Sequence, residues 1–370
     1  MRSKLLGMVL IAALLPACRT VPPRAAPMRD YLVTAAKPDR VFVIDPAAAR
    51  VVSDFRIPDA NDYVSILVPS PDGRVAYVLI NGAESIAGID LQTGREVFRA
   101  NLSEPGLRVK CMFAFDITPD GRELIVYEYP TRLGIDEYTV EQPRFAIYST
   151  AGGLDARPLR EFPAPRRIEM ILAKRDGRSF FALGFDLYQF DLDTGRLMGE
   201  RGILNWQRPD HSSPDMLAFW PVSQPTGVFS SPLYSTVTGP GTPAGGVAET
   251  SLMTLDLTSG SLEYHDFGRT DNLIFSTVLS PSRRWAYGVY TQLTKIDTEH
   301  WTVAQRLNLA HTYYSVNIST DGSEVYAGGA MCDIAIYDAK TLQRRGDVRL
   351  PGCGDQSLAT LRVIRRAAAQ

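Results

Sequence analysis

The chain has 370 residues, 39 Lys and Arg against 41 Asp and Glu, and a formal net charge of -2. That balance excludes the strong basic excess of a nucleic-acid footprint. Gly and Pro are frequent, with 29 and 25 residues, and beyond the N-terminus no long segment keeps a 3.6-residue period, so little helix is expected.

At the N-terminus, Arg2 and Lys4 precede the apolar stretch Leu5 to Leu15, and Leu15-Pro16-Ala17-Cys18 follows. This is the pattern of an export signal, too short for an ordinary spanning helix. Its end resembles a bacterial lipobox, which implies a signal peptide over 1–17, cleavage before Cys18 and acylation of that residue. Plain secretion with a stray cysteine is the alternative. Residues 18–29, with three prolines, would form a tether. The reading so far is a lipid-anchored protein on the periplasmic side of a bacterial membrane.

From Asp30 to Arg366 the sequence repeats. Val64 to Leu102 carries Ser70-Pro71-Asp72-Gly73 and Asp90-Leu91-Gln92-Thr93-Gly94, and related Asp-Gly turns recur at Asp120-Gly121, Asp176-Gly177 and Asp321-Gly322. Four short strands per repeat, at roughly 40 to 50 residues, predict blades of a β-propeller. Val75 to Ile80 and Leu124 to Tyr127 are apolar on both faces, as sheets covered on both sides require.

Tyr31 to Ala35, Val41 to Asp45 and Val51 to Ile57 supply three strands of a first blade. Ser357 to Ile364 is left over at the other end and is expected as its inner strand, closing the ring and removing its edges. Blades two to seven start near Val64, Met112, Ile168, Met216, Leu273 and Tyr313. The prediction is a seven-bladed, all-β propeller of four-stranded antiparallel blades. Glu128 to Arg144 and Ser235 to Thr250 are expected as long loops.

The Asp-Gly turns join first to second strands, so the opposite face carries the lead-in to each inner strand. That face gathers Asn61, Asp62, Lys110, Trp206, Asp210, His211, Asp271, Asn272, His311 and Tyr313. Polar and aromatic loop residues beside two insertions mark the face where binding is expected. No C-x-x-C-H, no G-x-S-x-G and no Gly-rich phosphate loop occurs, and the four histidines are scattered. Neither catalytic residues nor a metal site are expected on this chain.

Of the four cysteines, Cys332 begins the third strand of blade seven and Cys353 follows its fourth. Antiparallel pairing brings these ends together, which predicts a Cys332 to Cys353 disulfide, with two buried thiols as the alternative. Cys111 is expected as a buried thiol.

One family fits these residues. Asp30-Tyr31-Leu32 with Pro38-Asp39-Arg40, Val109-Lys110, Glu141 to Arg144, Pro214 to Ala218, Phe275-Ser276-Thr277 and above all Tyr313 to Ser323 resemble the β-propeller subunit of quinohemoprotein amine dehydrogenase. The heavy chain of methylamine dehydrogenase is a more remote likeness. The resemblance implies a propeller without its own cofactor. It supports a small subunit bearing cysteine tryptophylquinone, beside a dihaem cytochrome subunit carrying c-type haem, in the oxidative deamination of primary amines. On that basis Tyr313, Tyr314, Asn317 and Lys110 would lie near the quinone-bearing partner, with Tyr313 as the contact and Tyr314 as core. A lipid-anchored binding module without enzymatic activity is the second hypothesis.

Overall fold

A computed structural model describes residues 27–61, 63–217, 220, 222–223, 225–356 and 359–367. The expected signal peptide, Cys18, most of the tether, Asp62, Ala218 and Ser357 lie outside them. Seven antiparallel sheets form the blades of a propeller, and their order follows the chain except at the closure. There Arg362–Ala367 is the inner strand of the first blade and pairs with Met28–Ala36, Leu32 standing opposite Val363. The strand therefore begins five residues later than the sequence suggested. Thr360 is engaged elsewhere: its Oγ1 accepts from Leu67 N at 3.1 Å and donates to Leu67 O at 2.5 Å. At the other end the sheet begins at Met28, two residues inside the expected tether.

The core is divided among the seams. Ile66, Val68 and Tyr77 of blade two meet Leu124, Val126 and Tyr148 of blade three, and Tyr326 and Ile336 of blade seven meet Leu32 and Phe42 of blade one. Corresponding clusters fill the other seams, so each blade is buried on both faces by its neighbours. This explains why the strands read as continuous apolar runs.

On one face the turns are held by repeated polar contacts. Asp72 Oδ1 accepts from Arg74 N and Asp120 Oδ1 from Arg122 N, while Asp90 Oδ1 accepts from Gln92 N and Thr93 N. Glycine is needed here for two reasons. At Gly94 and Gly195 φ is +72° and +66°, and a Cβ would lie 2.4 Å from the Phe55 ring and 2.2 Å from the Phe162 ring of the preceding blades.

Both expected loops contain strand that extends a blade's ladder. Glu123–Leu133 continues past its blade to pair with Leu107–Lys110 and Tyr138–Val140, and Val228–Val237 pairs with Val247–Asp256 along its whole length. Each insertion is thus a projecting hairpin. Gly and Pro are confined to the tip of the second, whereas the β-branched Thr236, Val237 and Val247 extend its ladder.

Cys332 and Cys353 are joined by a disulfide with Cα atoms 5.7 Å apart, and Cys111 is buried and free. The bridge closes a loop with a sequence separation of 21. Cys332→Ser with Cys353→Ser is expected to lower unfolding free energy by about 3 kcal/mol in the chain-entropy description. Urea titration of the double variant checks this; an unchanged midpoint would mean that the bridge restrains nothing.

Candidate functional site

The face opposite the Asp-Gly turns carries the lead-in residues, and they fall into separate groups. In blade seven, the Tyr313 hydroxyl donates to Asp333 Oδ2 at 2.6 Å, and His311 Nε2 lies 2.9 Å from Asp333 Oδ1. His311 Nδ1 is 2.8 Å from the Thr312 carbonyl oxygen. Tyr313 is 1% exposed and belongs to the seam between blades six and seven. Burial, then the Asp333 carboxylate, pushes its phenol far above the ordinary range.

Around blades four and five, Trp206 is buried and donates from Nε1 to Ser212 O at 2.9 Å. Arg208 stacks on its ring and grips both oxygens of Asp266 at 2.8 and 2.6 Å. Burial opposes the ionisation of Asp266, but the bonds from Arg208 and Ser251 outweigh it and hold the carboxyl below its ordinary range. His211 Nε2 is 3.6 Å from the same carboxylate, and Asp210 is exposed at the hairpin base, its carbonyl accepting from Thr238 N. Lys110 and Asp271 stand apart from both groups, beside Glu84 at 3.9 Å and Arg306 at 2.9 Å. Asn61 is exposed, and its N–H donates to Asn81 Oδ1. Asn272 accepts from the Thr291 hydroxyl at 3.0 Å.

Two expectations are corrected. Asn317 is fully buried; its Nδ2 donates to Leu361 O at 3.0 Å and its Oδ1 accepts from Ile318 N, so it ties blade seven to blade one. Tyr313 and Tyr314 exchange roles. Tyr314 is the half-buried one, and its ring lies 5.6 Å from Trp220, 5.1 Å from Phe275 and 6.2 Å from Tyr290. Both residues precede the strand Ser315–Ile318 rather than opening it, and their side chains go to different surroundings, but in the reverse of the expected assignment.

That aromatic group is the most developed feature of the face. Phe275 and Tyr290 stack at 4.0 Å with ring planes 7° apart, and Trp220 stacks on Phe275 at 5.7 Å. The register opposite Trp285–Tyr290 passes from Ile274 directly to Ser276, leaving Phe275 as the unpaired bulge residue. A bulge re-aims one side chain, which is how a residue of an inner strand leaves the seam for this cluster. The sequence marked Phe275 only through the resemblance carried by Phe275-Ser276-Thr277. Alternation alone carries no signal for a bulge.

Among the described residues, no three or more His, Cys, Asp or Glu side chains are grouped so as to hold a metal. No family model and no curated protein matches the chain. Solved structures do. A Kuenenia stuttgartiensis hydrazine synthase chain superposes with a TM-score of 0.53 at 13% identity, covering 82% of this chain and 90% of that one. The dihydro-haem d1 dehydrogenase NirN, solved in complex with DHE, gives 0.51 at 13%, covering 86% and 73%. The likeness is one of fold. At this identity it extends to the β-propeller architecture and leaves activity to be argued from the site.

Proposed function

We propose that the chain is the propeller subunit of a periplasmic amine dehydrogenase of the quinohemoprotein type. It carries no cofactor itself and holds a small subunit bearing cysteine tryptophylquinone, with a dihaem cytochrome subunit completing the assembly. The observation that carries this reading is the Trp220, Phe275, Tyr290 and Tyr314 group. Two of its members, Phe275 and Tyr314, belong to the stretches in which the sequence resembles that family. Stacked aromatics with partial exposure are what protein interfaces use as anchors. His311, Asp333 and the projecting hairpins of blades three and five supply polar groups and further surface around it.

The test is purification from native membranes in mild detergent. Co-elution with a haem-staining polypeptide and a small crosslinked one is the expected result. Elution of the chain alone would favour a lipid-anchored binding module instead.

The anchor is tested separately. Cys18→Ser removes the sulfur that would carry the lipid, and the protein should move from the membrane fraction to the soluble one, since several acyl chains at about 0.8 kcal/mol per buried CH2 would be lost. Retention of the variant in the membrane would refute the lipobox reading.

A further inference from the structure

The opposite mouth of the central channel, on the Asp-Gly turn face, holds a cavity of about 320 Å³. Residues of six blades line it, Val68, Ile117, Leu172, Pro225, Thr320 and Val363 among them. Three charged side chains of inner strands line it, Asp116, Arg362 and Arg365. Asp116 lies in Phe115–Ile117 and Arg362 opens the closing strand.

Asp116 is deep in the molecule yet keeps part of its surface toward the cavity. Its Oδ1 accepts from Ile117 N at 2.9 Å and its Oδ2 from Ala173 N of blade four at 2.8 Å. Burial pushes this carboxyl above its ordinary range, against the pull of those N–H groups and of Arg362 and Arg175. Arg362 is 4% exposed, with its Nε donating to Leu67 O at 3.2 Å. Arg175 is exposed at the rim, and Arg365 stands there 3.7 Å from Asp30.

Three arginines therefore line one mouth of a chain whose net charge is -2. Two carboxyls stand beside them: Asp116 accepts from the backbone with both oxygens and Asp30 lies 3.7 Å from Arg365, so the arginines outnumber the carboxyls by one. An arginine fork matches a carboxylate in shape and charge. The rest of the lining mixes hydroxyl-bearing residues such as Thr118 and Thr320 with the apolar Val68, Ile117, Leu172 and Leu257, and the apolar part suits a hydrocarbon body. The volume lies at the low end for ligand pockets, which limits the body to a short one.

We propose that this mouth binds a small organic carboxylate. The site is on the face opposite the one proposed for the partner subunits and does not depend on that assignment.

Calorimetric titration of the full-length protein with acetate, hexanoate and hexylamine tests it. Hexanoate is expected to bind saturably with one site per chain and more tightly than acetate, and hexylamine not to bind. Arg175→Ala removes an exposed side chain and leaves its backbone bond to Leu257 O in place. It should weaken hexanoate by about tenfold, the loss of one charge-assisted contact. Tyr314→Ala, on the other face, should leave hexanoate binding unchanged. No saturable hexanoate binding, equal affinity in Arg175→Ala, or binding of hexylamine as well would each overturn the proposal. Equal affinity for acetate and hexanoate would reduce the site to one for simple anions and overturn its organic character.

Discussion

Tyr313→Ala is expected to cost about 3–5 kcal/mol of unfolding free energy, while Tyr314→Ala leaves the urea midpoint nearly unchanged. The two residues are adjacent, so the contrast isolates environment from position. Tyr313 fills the seam between blades six and seven, and its hydroxyl satisfies Asp333. Truncation would leave a cavity and remove one partner of that carboxylate. Tyr313→Phe separates the two contributions: it keeps the ring and should lose only about 1–3 kcal/mol from the unsatisfied Asp333 oxygen. Tyr314 lies against other rings at the open mouth of the channel, where they relax around a missing side chain more readily than a closed seam does. Equal losses at both positions would show that the aromatic group is part of the core.

Arg144→Met is the second substitution with a large expected effect. Glu128 is fully buried and stands opposite Arg144 at the base of the blade-three hairpin. One carboxylate oxygen accepts from Arg144 Nε at 2.7 Å and the other from the Tyr148 hydroxyl at 2.7 Å. Removing the arginine strands a buried charge, which costs about 3–5 kcal/mol. Burial already pushes the Glu128 carboxyl upward despite the Arg144 charge, and without that charge the upward push is stronger.

The pH dependence follows from that direction. A carboxyl whose folded pKa exceeds its unfolded value binds its proton more tightly in the folded state. Its folded-state penalty is absent below the unfolded pKa and grows as pH rises through the folded one. The deficit of Arg144→Met relative to wild type should therefore shrink as pH is lowered toward the ordinary Glu range. Urea titrations of both proteins across that range check it, and a deficit independent of pH would place the cost in packing alone.

The features that were legible in the sequence are those set by local chemistry. The Asp-Gly turns announce themselves because only a short capping side chain followed by a residue tolerant of positive φ closes them, and Asp72-Gly73 and Asp120-Gly121 do so. Ring closure was legible from the unpaired strand at each end of the chain, although Thr360 and Leu361 are taken up by bonds to blades two and seven and shift the strand toward the C-terminus.

The rest depended on relations between distant residues. Whether Tyr313 or Tyr314 enters the seam is a matter of phase, and a single shift exchanges them. Asn317 looks like a surface amide until Leu361, a neighbour only through closure, accepts its hydrogen bond. The turn-face cavity did leave a trace. Asp116 between Phe115 and Ile117, and Arg362 between Leu361 and Val363, are charges inside apolar inner strands, and such a charge needs a partner or a cavity to face.

The central claim is that the aromatic face receives the partner subunits. It is tested most directly by photo-crosslinking in the native host, with benzoylphenylalanine replacing Tyr314 on that face or Asp72 on the turn face. Irradiation of the Tyr314 variant should join the chain to a quinone-bearing or haem-bearing polypeptide, and the Asp72 variant should give no such adduct. Adducts from position 72 alone, or from neither position, would contradict the account.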